Sequence, residues 1–311
     1  MSTACLVIVF NHRYDKNIPV LEKMYASRFK HIRFLVPFYD GDRKDVIPVY
    51  ESSHYFQSFF AQGFHRFYDD SFSHYVFIGD DCILNPALNE SNIAEALGLD
   101  NNSDFISDIN PLDHETDHTW WHTFKGIDFF NNRKGAEIKR ELPSREEAVA
   151  RFAKHGINVK PLTLTSIFGK KTPPDKKPFT YWLFKQFHAR YKWKKYRRGK
   201  LIELPYPIAG AYSDILVISQ SSIRQFCHYC GIMGAAGLFV EIAVPTALLL
   251  SSQKIVEEKN APLKGKALWT AAEIGAIEEQ HQLSLQHLTQ HFPEGHLFLH
   301  PVKLSKWKND L

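Results

Sequence analysis

The chain has 311 residues, 44% hydrophobic and 23% charged, a composition that builds a core and excludes a disordered tail. It holds no uninterrupted apolar run of about 18 residues, as a membrane-spanning helix needs, and its four cysteines exclude a disulfide scaffold and point to a reducing, cytoplasmic setting. The net charge of +4 is too small for a nucleic-acid binder acting through its whole surface.

The opening, MSTACLVIVFNHR, lacks the basic start and small-residue cleavage site of a secretory leader. It reads as a first strand, Ala4–Phe10, apolar throughout like a strand buried on both faces. Pro19 then falls in the first turn of a helix with Leu21, Met24, Tyr25 and Phe29 on one side. His31–Pro37 is a second strand, ended by Pro37 and the turn pair Asp40-Gly41. Ser52–Tyr68 follows as an aromatic-faced helix, and His74–Ile78 as a third strand running into Gly79-Asp80-Asp81. Strands alternating with helices imply an α/β fold with a mainly parallel, helix-covered sheet.

Residues 101–143 give few periodic signals. Ser144 with Glu147 makes a capping box for a helix that Gly156 can close, and the prolines of residues 160–178 make loop chemistry. Residues 176–200 hold ten Lys or Arg, eight aromatics and no acid, so the rest of the chain carries −6 against the net of +4. Ser213–Ser219 is a strand, followed by a helix from about Ser221, a glycine-spaced loop (GIMGAAG) and a helix around Glu241–Leu250. One helix over Ala271–His291 and a short strand, His296–His300, complete the chain. The expected organisation is one large domain: residues 1–110, an irregular insertion over 111–205, and a second half over 206–311.

The strongest chemical signal is YVFIGDDCILNP, residues 75–86. Ligands of an open parallel sheet bind beyond the carboxyl ends of its strands. Two adjacent carboxylates there need compensation by a cation or by hydrogen-bond donors. A divalent metal on a diphosphate is one such compensation, because hard oxygen ligands suit Mg2+ or Mn2+. On these residues alone, acids that merely cap a turn or the next helix explain the segment equally well. Glu241 stands in an otherwise apolar run, where a partly desolvated carboxylate can accept a proton near neutral pH; pairing with a lysine or capping a helix is the structural alternative. His300 ends a strand with Lys303 close behind, and a backbone-bonded strand-end histidine is the plainer reading. His114, His118 and His122 share a four-residue spacing, but Pro111 and the Trp120-Trp121 pair favour a substrate-lining loop with stacking tryptophans over a zinc helix. Cys227 and Cys230 lack a second pair and read as ordinary helix cysteines. The glycines of GIMGAAG do not follow the first strand and are not a dinucleotide fingerprint.

The chain resembles the nucleotide-sugar-binding half of GT-A-type glycosyltransferases. Four pieces carry the likeness: the opening IVFNHRYDKNIPVLEKMYASRFKHIRFLVP, the acidic pair after HYVFI, the acid opening a helix in FVEIAVPTALLL, and the late histidine of LFLHPVKLSKW. The resemblance implies transfer of a sugar from a nucleoside diphosphate sugar to a hydroxyl of a glycan or lipid-linked acceptor, in surface polysaccharide assembly. Residues 1–110 would be the nucleotide-sugar half and 206–311 the acceptor and catalytic half. It implies that Asp81 and His300 bind Mn2+ or Mg2+, with Asp80 beside them and Lys303 neutralising the diphosphate. Glu241 would be the general base of an inverting reaction. Asn11, Arg13 and Asp40, nominated by their places at strand ends, would lie near base and ribose. Gly79 and Cys82 leave no intact Asp-x-Asp, which weakens the implied metal dependence.

Two rivals stand beside this expectation. A sugar-nucleotide nucleotidyltransferase would usually carry a glycine-rich basic loop after the first strand, where this chain has NHRYDKN. A non-enzymatic protein would act through residues 176–200 alone. That basic aromatic segment suits an anionic membrane surface better than nucleic acid, so a peripheral position on the cytoplasmic face of a membrane is expected.

Overall fold

The computed structural model describes residues 3–112, 119–133, 135–168 and 179–311. The chain divides into two compact units, one of residues 1–108, 212–231 and 251–311, the other of residues 109–211 and 232–250. The stretch expected as a second half, 206–311, is thus shared between both units.

The first unit begins with β1 (Ala4–Val9), β2 (Ile32–Pro37), β3 (Val46–Val49), β4 (His74–Gly79), β5 (Ile83–Leu84) and β6 (Ser103–Ile106). The second contributes β7 (Leu162–Thr163) and β8 (Leu201–Ile202). The first resumes with β9 (Ile215–Ser219), β10 (Lys254–Glu257), β11 (Lys264–Ala267) and β12 (His296–His300). Seven strands form the main sheet in the order β10-β6-β9-β4-β1-β2-β3. All neighbours are parallel except β9, which runs antiparallel to both β4 and β6. The fold is α/β with a mostly parallel sheet, as the alternating pattern implies.

The apolar continuity of β1 has its physical reason here. All six of its residues are buried, because a parallel strand is covered on both faces. The helix Ile18–Tyr25 buries Ile18, Leu21, Met24 and Tyr25 with Pro19 in its first turn. The aromatic helix Gln57–Phe67 packs Phe60 and Phe67 onto Phe77 of β4, with ring centroids 4.7 and 5.6 Å apart. Gly63 allows this close approach: a Cβ there would stand 2.6 Å from Leu35 of β2.

Several elements differ from expectation. β3 and β6 lie where no periodic signal was read, each being only four residues long. GIMGAAG is not a loop, since the helix Ile223–Ala235 runs through most of it. The single helix expected over Ala271–His291 is two, Ala271–Gln280 and Leu285–Gln290. Gln282 and Leu283 take left-handed φ of 54° and 52° between them, a conformation that no α-helix of L-residues continues. Ser284 then caps the second helix, accepting from His287 N–H.

In the second unit the helix Arg145–Lys154 carries the expected capping box, Ser144 and Glu147 bonding each other's backbone. Gly156 follows with φ of 77°. The stretch expected as irregular holds the helices Thr119–Asn131 and Phe179–Tyr196. The helix Val240–Ser251 is buried along nearly its whole length. All four cysteines are buried and unbonded, and burial pushes Cys5 up to about 12 and Cys227 and Cys230 well above the ordinary thiol value. Among the described residues no helix is long and apolar enough to cross a membrane.

Asp104 of β6 is a carboxylate with no exposed surface. It accepts from Ser219 N–H at 2.6 Å and from the Ser252 hydroxyl. Burial raises its pKa, against the opposing hydrogen bonds of Ser252, Ser219 and Ser222. The native state therefore keeps this proton to higher pH than the unfolded chain. Its stabilisation is full below about pH 4, the ordinary aspartate range, and is lost as pH rises through the native pKa. Asp104→Asn has no such proton to lose, so its unfolding free energy should gain on wild type as pH rises from about 4 upward. Urea denaturation of both proteins across that range checks it, and parallel pH profiles would refute the assignment.

Candidate active site

The strand order reverses between β1 and β4: the chain builds outward through β2 and β3, then returns to the other side of β1. Such a reversal opens a crevice at the carboxyl ends of the two strands, where open α/β sheets bind ligands. Val9 and Gly79 are register partners there. The loop after β4 is tied down at once, Asp80 N–H donating to Val9 O at 3.0 Å. The acidic pair thus stands at the reversal.

The two acids have different surroundings. Asp80 is 5% exposed. Its oxygens accept from Asn11 N–H at 3.5 Å and Asn17 Nδ2 at 3.3 Å. Burial and the neighbouring Asp81 charge push its pKa up to about 6, against the lowering effect of those donors. Asp81 keeps one buried oxygen, Oδ1, without a hydrogen-bond partner. His300 Nε2 lies 3.2 Å from that oxygen, an ion-pair distance without hydrogen-bond alignment. His300 Nδ1 lies 3.4 Å from Asp214 Oδ2. Burial pulls the His300 pKa down, but the contact with Asp81 and the charges of Asp214, Asp81 and Asp80 outweigh it, and the net direction is up.

Distant segments meet to make this arrangement. β12 joins a small sheet, parallel to β11 and antiparallel to β5, which carries His300 beside the acids. Val302 N–H donates to Asp81 O at 2.7 Å. Asp214 precedes β9, whose antiparallel register pairs Ile215 with Ile78, and Gly79 N–H donates to Asp214 O. Asn11, Tyr14, Asn17, Asp80, Asp81 and Lys303 line a cleft of about 310 Å³. Among the described residues no carboxylate pairs with the exposed Lys303 ammonium. Beside the cleft, Phe60 and Phe77 wall a cavity of about 40 Å³ shared by Asp81, Asp214 and His300.

The structure therefore brings Asn11, Asp80, Asp81, His300 and Lys303 together. Arg13 and Asp40 meet each other instead of that lining: the guanidinium pairs with Asp40, with Asp15 at 3.3 Å, and donates to Phe38 O at 3.2 Å. Phe38 itself takes a left-handed φ of 54° and stands exposed beside Tyr50. Glu241 belongs to the second unit, half-buried in the first turn of the helix Val240–Ser251, its carbonyl accepting from Ala211 N–H at 3.0 Å. His114 and His118 lie outside the described residues, as do the side chains of Trp120, Trp121 and His122.

Asp214 and Asn17 escaped the sequence reading. No local pattern marks them, since Asp214 is an ordinary acid before a strand and only the β4–β9 register sets it beside His300.

Among the described residues, no three His, Cys, Asp or Glu side chains form a ready-made metal cage. Mg2+ commonly binds through one or two carboxylates together with substrate phosphates, and Asp81, whose buried Oδ1 makes no hydrogen bond and has His300 Nε2 at 3.2 Å, suits that mode. No model of a known protein family matches the chain, and no curated protein matches it.

Gly79 keeps room for Asp81, because a Cβ there would stand 3.1 Å from Asp81 Oδ1. Gly79→Ala should leave stability within about 1 kcal/mol of wild type, as its φ is ordinary, yet displace the Asp81 carboxylate. The nitrogen resonances of the His300 ring should move in the NMR spectrum. Unchanged resonances would mean that the glycine is not needed here.

Proposed function

We propose that the first unit binds a nucleoside diphosphate sugar and that the protein is a glycosyltransferase of GT-A type, acting on a glycan or lipid-linked hydroxyl. One observation carries this reading: an acidic pair at the strand reversal shares with Lys303 a cleft of about 310 Å³, at the lower end of the ~300–1,000 Å³ range of small-ligand sites. Carboxylates and an ammonium around one cleft suit a ligand that arrives with a cation and leaves with growing negative charge. A diphosphate does both.

Within that reading the side chains divide the work. Asp81, with His300 beside it, would hold Mn2+ or Mg2+. Such a cation supplies charge stabilisation to the departing diphosphate. Asp80 is fixed by Asn11 and Asn17 and shapes the charge next to Asp81. Burial and the neighbouring Asp81 charge push its pKa up to about 6, and a cation beside the pair would favour its ionised form. Lys303 offers a mobile positive charge to phosphate oxygens. Asp214 orients His300 from its other nitrogen. At the ends of β1 and β2, the Arg13–Asp40 pair and the exposed Phe38–Tyr50 rings give a polar and an aromatic surface suited to ribose and base.

Titration calorimetry with uridine diphosphate and its sugars, with and without Mn2+, tests the reading directly. Asp81→Ala should cost about 100-fold or more in kcat/KM while thermal unfolding stays near wild type. A fully active Asp81→Ala protein would remove the metal assignment.

Glu241→Gln tests the base role that the sequence resemblance implies. The amide keeps the shape and cannot take a proton, so kcat should fall while donor affinity holds. Loss of donor affinity in step with the rate would make Glu241 a structural group.

A further inference from the structure

The helix Phe179–Tyr196 of the second unit has two unlike faces. Ala189 and Trp193 are buried, whereas Phe184, Phe187 and Tyr191 are 62%, 65% and 61% exposed. Their spacing of three and four residues places these rings in one row along the helix. Large rings this exposed at such spacing form an apolar stripe on the surface. One turn beyond Tyr191 the same row reaches Lys195, and there a cavity of about 380 Å³ opens.

That cavity is lined by Arg145, Lys195, Arg197 and Arg198, with Tyr196 and the single acid Glu203. The chain is folded back to place these cations: Arg198 N–H donates to Leu201 O at 2.7 Å, with Gly199 at φ 60° in the turn. Asp128, on the helix Thr119–Asn131, is already engaged by Lys192, by the Tyr196 hydroxyl and by Lys195 at 3.4 Å. Among the described residues no carboxylate pairs with the guanidiniums of Arg145, Arg197 or Arg198. Guanidiniums so gathered are complementary to a phosphate group, which they hold by paired N–H donors.

We propose that this face docks on an anionic membrane: Phe184, Phe187 and Tyr191 enter the interfacial layer while Arg145, Lys195, Arg197 and Arg198 seat a lipid headgroup phosphate. The row of rings distinguishes a lipid from a free phosphate, because a soluble anion has no use for three exposed aromatics. Rings at headgroup depth with cations beside them are the pattern of interfacial helices. The proposal stands on the second unit alone and does not depend on the transferase reading.

Vesicle flotation of the full chain tests it, using phosphatidylcholine alone and phosphatidylcholine with phosphatidic acid. Binding should require phosphatidic acid and weaken as salt rises. Two triple variants separate the parts. Phe184→Ser/Phe187→Ser/Tyr191→Ser should lose vesicle binding, and Arg145→Ser/Arg197→Ser/Arg198→Ser should lose it by at least about tenfold. Both alter exposed positions, so circular dichroism should match wild type. Lys23→Ser/Lys30→Ser/Lys308→Ser removes equal charge from the first unit and should bind as wild type does. Equal loss in that control would reduce the effect to net charge and overturn the site. Binding of inorganic pyrophosphate without vesicle binding, or tighter binding of a single-stranded oligonucleotide than of vesicles, would overturn the lipid assignment.

Discussion

The parallel pairing of β1 with β4 is the contact on which the first unit depends. It sets Val9 against Gly79, and it fixes where the strand order turns back on itself. Chain leaving β1 and chain leaving β4 diverge at that seam, so backbone donors and side chains from both converge on one crevice. The seam is apolar up to its last residue and acidic immediately after it. A folded sheet is needed to hold a carboxylate such as Asp80 there, because isolated burial of its charge is strongly unfavourable.

The charge arrangement at the seam crowds like charges together. Asp80, Asp81 and Asp214 gather around one imidazole, His300, and the donors from Asn11 and Asn17 satisfy only Asp80. A sheet evolved for stability alone would end in groups that cap its backbone. This one ends in an acid whose buried Oδ1 makes no hydrogen bond, with the His300 ring 3.2 Å away. The small sheet of β5, β11 and β12 exists at the right place to bring His300 and Lys303 to it.

The second unit answers a different electrostatic problem. Residues 176–200 carry ten Lys or Arg and no acid, while the rest of the chain is acidic on balance. Asp128 anchors the inward-facing part of the helix Phe179–Tyr196 through Lys192 and Tyr196, so the positive charge left over faces outward. Under the membrane-docking proposal, charge segregated in this way would meet an anionic surface without making the whole molecule sticky.

The sequence by itself determined the α/β class and the main strands, because a strand buried on both faces must be continuously apolar and its ends must change character abruptly. It also located the acidic pair and the basic aromatic stripe, both marked by local composition, whereas the late histidine and lysine stood out only through the resemblance. The capping box at Ser144 was legible as well, being a contact between residues three apart. Short strands such as β3 and β6 were not, since four residues carry too little period to read. Nor was the break at Gln282 and Leu283, which no glycine or proline announces. Only the tertiary structure decided that Asp214 joins His300, that Asn17 supports Asp80, and that Arg13 turns to Asp40. These are contacts between segments far apart in the chain, set by strand register and crossover, and no periodicity along the sequence encodes them.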